Sequence, residues 1–336
     1  MRIVEAAQNL IGSGARDRLG ARSTASKTFV APVGRFAWFV VAYNIAVILW
    51  GAYVRATGSG AGCGNHWPLC NGEVLPTSAQ TKTLIEFTHR VTSGLSLVLV
   101  FVLLIWCWRR TSKGDRSRRS ATAAAILLFN EAILGAMLVV FDHVGLDRSA
   151  SRAVLLCLHF GNTLLLVAAL TLTAKWLSSG REGFRVPGAR YERAVIAVGL
   201  LCVALTGMTG SLAALGDTIF PTTTLKASIA QDLSSASQVL LRLRLLHPIV
   251  AGVACFYILW MVRRLSRNRD ESKGTLPFLA ATLLTQIGLG VLNVLLLAPV
   301  WLQITHLFVA EVFWILLVIA SDSVLAKPLE SGASVP

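Results

Sequence analysis

Glu86 and His89 stand three residues apart, so on a helix they share one face, and a Gly-rich stretch carrying Cys63 and Cys70 (RATGSGAGCGNHWPLCNG) runs up to them. Three further histidines, His159, His247 and His306, also sit inside long apolar runs. Imidazole is costly within hydrocarbon and normally faces a bundle interior or a functional site. A single such ring is easily satisfied by a backbone carbonyl or a hydroxyl; four at a matched depth argue for ligation. Zinc takes four tetrahedral ligands, often including cysteine, and no carboxylate-rich cluster accompanies these histidines. A low-spin haem instead takes two axial imidazoles from facing helices and fills an apolar bundle with its macrocycle. His89 with His159, and His247 with His306, supply two such pairs. A carboxylate beside one pair can move protons or stabilise positive charge. Two cysteines outside a membrane can form a loop staple or a reductive relay.

The elements that must hold these residues are membrane spans. The chain has 336 residues, 54% hydrophobic and 14% charged, which excludes an ordinary soluble domain. Apolar runs of about 20 residues predict eight transmembrane helices, near 36–54, 82–108, 121–141, 152–177, 192–213, 237–262, 276–297 and 302–325. The net charge of +14 follows topology. Arg109, Arg110, Lys113, Arg116, Arg118 and Arg119 fill the second connection, while Lys175, Arg181, Arg185, Arg190 and Arg193 fill or flank the fourth. Arg263, Arg264, Arg267, Arg269 and Lys273 lie at the sixth. This positive-inside pattern puts both termini in the cytoplasm and leaves no footprint for nucleic acid. Residues 1–35 form a polar, Arg-rich cytoplasmic tail whose composition weakly resembles a transit peptide, although Glu5 and Asp17 count against that.

The eight spans read as an internal duplication: an all-α membrane protein of two pseudo-symmetric four-helix bundles. The predicted units are the tail (1–35), an N-terminal bundle (36–177), a cytoplasmic linker (178–191), a C-terminal bundle (192–325) and a cytoplasmic tail (326–336). Gly207 follows Gly51 by 156 residues, His247 follows His89 by 158, Gln286 follows Glu131 by 155, and His306 follows His159 by 147. Each histidine is then expected roughly 8–15 Å below the outer surface, at 1.5 Å per helical residue. The halves differ where chemistry would occur. Arg244 stands three residues before His247, where Glu86 precedes His89, and the second half lacks a cysteine pair in its matching loop. The first half therefore reads as reactive and the second as an electron-transfer site. Glu131 is a rival acid, although its counterpart Gln286 favours a hydrogen-bonding role. Arg55, Arg152, Arg242 and Arg244 are candidate partners for haem propionates, or ordinary interfacial cations. His66 and His143 fall in outer loops as weaker candidates, while Cys107, Cys157, Cys202 and Cys255 fall within spans and read as packing residues.

GAYVRATGSGAGCGNHWPLCNG followed by EFTHR resembles the haem A synthase family, over essentially residues 36–325. The resemblance implies eight transmembrane helices in two bundles and oxidation of the C8 methyl of haem O to a formyl, giving haem A for terminal oxidases. It implies Glu86 as catalytic glutamate, His89 and His159 as axial ligands of the substrate haem, and His247 and His306 as ligands of a haem b cofactor. It also implies that Cys63 and Cys70 form a disulfide with a redox role. Two departures are visible. Pro248 follows His247 where relatives often have arginine, and proline there favours a helix bend. The second outer loop lacks the further cysteine pair of some relatives. Expected partners are membrane lipid, a haem O synthase, an unidentified electron acceptor and a second copy of the chain. The expected location is a bacterial cytoplasmic membrane, with the mitochondrial inner membrane as alternative. The rival functions are a diheme b-type cytochrome acting only in electron transfer, and a transporter built from repeated bundles, which would need broken helices at the midplane.

Overall fold

The computed structural model describes residues 32–77, 80–179, 190–234, 239–266 and 275–325. Most of the N-terminal tail, the linker residues 180–189 and the C-terminal tail 326–336 lie outside the described residues. With them lie Arg181, Arg185, Arg267, Arg269 and Lys273 of the charge pattern.

The described chain is helical, with eight helices long and apolar enough to cross a bilayer. Helix α1 (Pro32–Ala56) starts on a proline, which costs nothing at a first turn whose N–H has no helical acceptor. Helix α2 (Thr81–Arg110) ends on Arg109 and Arg110, cations suited to the negative end of the helix dipole. Asp115 caps α3 (Arg116–Val140) by accepting from the Ser117 N–H at 2.8 Å. Then follow α4 (Ala150–Ser179), α5 (Arg190–Ile219), the short α6 (Leu225–Leu233), α7 (Val239–Ser266), α8 (Thr275–Leu295) and α9 (Val300–Leu325).

Two departures from the sequence expectation have physical causes. Helix α5 continues to Ile219, beyond the expected end at 213, through Gly207, Gly210 and Gly216, which allow close helix contact in lipid. Its Asp217 is kept in the helix by an ion pair to Arg244. Helix α6 has only nine residues, too few for periodicity to announce, and is started by the Thr224 hydroxyl accepting from Ala227 N–H. Pro248 does not break α7, which runs through it as one helix.

Helix α4 is the pivot of the packing. Its most apolar window is 44% buried, against 11–33% in the other spans. One face joins Val33, Ala37 and Val40 of α1, Leu103 of α2 and Ala124 of α3 around Leu166, Leu170 and Leu177. Another face carries Leu164 and Val167 into a cluster with Ile258 of α7, Leu279 of α8 and Phe313, Trp314 and Leu317 of α9. The Trp314 indole donates to the Leu164 carbonyl at 2.8 Å, and Lys175 pairs with Asp322 at 2.7 Å, so α4 and α9 are pinned at two levels. Phe256, Phe278 and Ile126 are 78%, 68% and 64% exposed on the periphery, as a chain solvated by lipid tails requires.

Candidate functional site

The four expected histidines lie near the starts of their helices. Each follows the first residue of its helix by 6–9 positions, about 9–14 Å along the axis at 1.5 Å per residue. His159 lies within electrostatic range of His89, and His247 within range of His306.

A glycine of the preceding membrane helix faces each ring. A Cβ at Gly51 would lie 2.9 Å from His89 Cε1, and one at Gly210 would lie 3.0 Å from His247 Cε1. At Gly290 the distance to His306 Cε1 is 3.4 Å, and at Gly135 it is 3.6 Å to His159 Cε1. Gly210 is thus the structural counterpart of Gly51, in place of the Gly207 expected from the offsets. A side chain at Gly207 would instead meet Phe160 at 2.5 Å. The two glycines are only three residues apart, and contact with the ring is what separates them.

The imidazoles fit an iron porphyrin as ligands. Nδ1 of His89, His159 and His306 is buried without a hydrogen-bond partner, unlike that of an ordinary core histidine. His247 differs: its Nδ1 lies 3.2 Å from the Thr206 carbonyl, a contact that orients the ring and leaves Nε2 for a metal. Gln286 Nε2 sits 3.2 Å from His306 Nε2 and would have to turn aside for that nitrogen to ligate. Among the described residues no three of His, Cys, Asp or Glu gather as a metal-ion cage.

Glu86 is buried beside the first pair and both its oxygens are engaged. Oε2 accepts from the Cys63 backbone N–H at 2.8 Å, and Oε1 pairs with Arg90 at 2.5 Å. Cys63 and Cys70 are joined as a disulfide, and the Arg90 guanidinium also donates to the carbonyls of His66 and Leu69 within the ring it closes. Thr83 Oγ1 donates to the Gly62 carbonyl at 2.8 Å. Gly62 is obligatory here, because a Cβ would lie 2.5 Å from the Lys82 carbonyl oxygen. The loop therefore lies flush on the start of α2. The His66 side chain is exposed.

Arg244, in the place of Glu86 before His247, meets acids: Nη1 lies 3.0 Å from Asp217, and Nε 3.0 Å from Asp232 of α6. Arg55 reaches across to other helices, donating to the Ala214 carbonyl (2.6 Å), Thr218 Oγ1 (2.9 Å) and Gln303 Oε1 (3.0 Å). Arg152 donates to the carbonyls of Gly145 (2.9 Å) and Asp147 (2.8 Å), closing the α3–α4 connection. Among the candidate propionate partners, Arg55, Arg152 and Arg244 thus already hold protein groups, and Arg242 is exposed on α7. Glu131 bonds Asn162 Nδ2 (2.5 Å) and the Thr163 hydroxyl, with its carboxylate 3.4 Å from His159 Nδ1. Gln286 occupies the matching place beside His306.

His143 is used in its own loop, with Nδ1 2.7 Å from Asp147 and Ser149 bonded to the same carboxylate. Partial burial raises the Asp147 pKa, but hydrogen bonds from the Ser149 hydroxyl, His143 and the Ser149 N–H outweigh it and hold the carboxyl below its ordinary range. Cys107, Cys157, Cys202 and Cys255 are free thiols within the spans. Sequence reading missed Glu311, which is fully buried on α9 with neither carboxylate oxygen partnered. An acidic residue inside an apolar span was the available signal.

Fold and site together define a multi-pass helical membrane protein with four histidines near the starts of four spans, and a carboxylate and a disulfide loop beside one of them. The chain belongs to the COX15-CtaA family, described as cytochrome oxidase assembly protein, whose profile matches residues 34–318. It is 41% identical over 306 residues, 88% of its length, to a Thermus thermophilus protein named protoheme IX farnesyltransferase, of which it covers 50%. A heme A synthase of Alkalihalophilus pseudofirmus is 40% identical over 144 residues (43% of this chain and 46% of that one). A Bacillus licheniformis heme A synthase is 40% identical over 126 residues, 38% of this chain and 39% of the relative. The chain spans about half the length of the curated relatives it matches. The apolar spans and the bacterial relatives define a multi-pass bacterial membrane protein.

Proposed function

We propose that this protein is a haem A synthase, a membrane oxidoreductase that converts the C8 methyl of haem O to a formyl group. The observation that carries the proposal is the buried Glu86 carboxylate, fixed from both oxygens beside the His89/His159 pair. Family membership and the relatives named heme A synthase support it.

Haem O is the substrate, with His89 and His159 as its axial ligands. Methyl to formyl removes four electrons and four protons in total, with water as the oxygen donor in the route proposed here. Glu86 stabilises positive charge developing at the substrate carbon and accepts a proton from it, each a role that a preorganised carboxylate in a dry site performs well. Its bonds to Cys63 and Arg90 fix the carboxylate before substrate arrives, so little reorganisation is needed. Haem b, when held by His247 and His306, would supply a one-electron carrier. The orphaned Nδ1 of His306, the oriented ring of His247 and the glycines facing both rings fit that role. Arg244 engaged with two aspartates leaves no carboxylate directly before His247, which supports electron transfer without substrate chemistry in the second half.

The proposed organisation is an N-terminal four-helix unit at 36–177 and a C-terminal one at 192–325, with both termini cytoplasmic and the disulfide loop outside. Proposed partners are lipid, an electron acceptor and a haem O-forming farnesyltransferase. The name of the Thermus thermophilus relatives supports the last. Replacing Glu86 with Gln tests the assignment: haem O should still bind, while its conversion falls at least about 100-fold, the lower end of what a positioned acid–base group contributes. Normal conversion by Glu86→Gln would remove Glu86 from the chemistry.

A further inference from the structure

Arg90 touches both the proposed catalytic carboxylate and the disulfide ring. Its Nε and Nη2 meet Glu86 Oε1 at 3.2 and 2.5 Å, while Nη1 meets the His66 and Leu69 carbonyls at 2.5 and 2.6 Å. Both partners are shielded, with side-chain exposures of 12% for Arg90 and 4% for Glu86. The two carbonyls lie inside the ring closed by Cys63 and Cys70. Glu86 Oε2 meets the same ring from its other end, through the Cys63 N–H. The carboxylate is therefore gripped twice by one loop, and one of the two grips passes through Arg90.

The chemistry of the side chain suits the task. A guanidinium offers five N–H donors in a rigid plane, so it can fork onto a carboxylate and reach separate carbonyls at once. A lysine ammonium carries the same charge as a single point and cannot span all three acceptors. Charge balance alone would need no contact with His66 or Leu69.

We propose that Arg90 is a positioning residue that couples the disulfide-closed loop to Glu86, so that the closed ring sets the carboxylate's orientation. The coupling rests on the assignment of Glu86 as the acting carboxylate. By linkage, contacts made only with the closed ring also favour the disulfide. Opening it takes two electrons and two protons from a dithiol reductant, which is left as the oxidised disulfide.

The test uses the full-length membrane protein with its haem as isolated, equilibrated in dithiothreitol buffers, with Cys63 and Cys70 thiols counted by alkylation and mass. Arg90→Gln should shift the equilibrium about tenfold towards the dithiol, which is about 30 mV for a two-electron couple. Arg90→Lys, which keeps Glu86 neutralised and guards against misfolding of the first variant, should shift it in the same direction. Glu86→Gln should have a smaller effect in the Arg90→Gln background than alone, the mark of groups acting as a unit. In turnover, Arg90→Gln should lower kcat about tenfold with little change in KM, and reduction of the ring should add little further loss. An unmoved thiol equilibrium in Arg90→Gln, full recovery by Arg90→Lys, or losses that simply multiply would overturn the coupling. If the unmodified protein fails to convert haem O, the functional assignment falls, while the thiol equilibria still decide the role of Arg90.

Discussion

Glu86 and the histidines were legible in the sequence because hydrocarbon makes polar residues conspicuous: each stands in a long apolar run. What spacing could not reveal is which small residues make room for them. Gly51 and Gly210 acquire meaning only from imidazoles on neighbouring helices. Gly51→Ala should drive the new methyl into the His89 ring, displace it and lower haem incorporation at the first site about tenfold, read from the Soret absorbance per protein. Gly135→Ala, whose Cβ would meet His159 at an ordinary 3.6 Å, should bind haem as the parent does. Arg90 was overlooked for a similar reason: its contacts with the His66 and Leu69 carbonyls exist only once the loop folds back on α2.

At the scale of elements, the long spans were readable from hydropathy and the pieces between them were not. Helix α6 is too short to show a period, and it is held by its ion pair rather than by a buried apolar face. Removing one partner of a buried pair leaves an uncompensated charge, which costs about 3–5 kcal/mol. Arg244→Met should therefore lower the thermal unfolding temperature in detergent and expose α6 to protease, because Asp232 is 9% exposed and Asp217 loses the same partner. The α3–α4 connection has a different dependence. Asp147 has a folded pKa below its unfolded value of about 3.9, so its contribution is complete above that value and is lost as pH falls through the lower folded one. Proteolysis at this connection should be flat from neutral pH down to the ordinary carboxylate range, and Asp147→Asn should abolish the acid-side rise. A rise beginning near neutrality would contradict this.

For the whole molecule, the near-constant offset between His89 and His247 conveyed a repeated plan, but not how the second half is attached to the first. Attachment runs through α4, through Trp314 on the Leu164 carbonyl, and through Arg55. In the fold Arg55 ties the end of α1 to α5 and α9. Such joints fall outside any pattern along one helix, because their partners are more than a hundred residues away. They keep the two histidine pairs in one frame, as electron passage between them would require. The most direct measurement is co-expression with a source of haem O, followed by purification and chromatographic identification of the extracted porphyrins. Haem A should accumulate with the unmodified protein, and haem O should persist with Glu86→Gln. Haem B alone, or haem O bound and left unconverted by the unmodified protein, would contradict the assignment and leave a membrane cytochrome in its place.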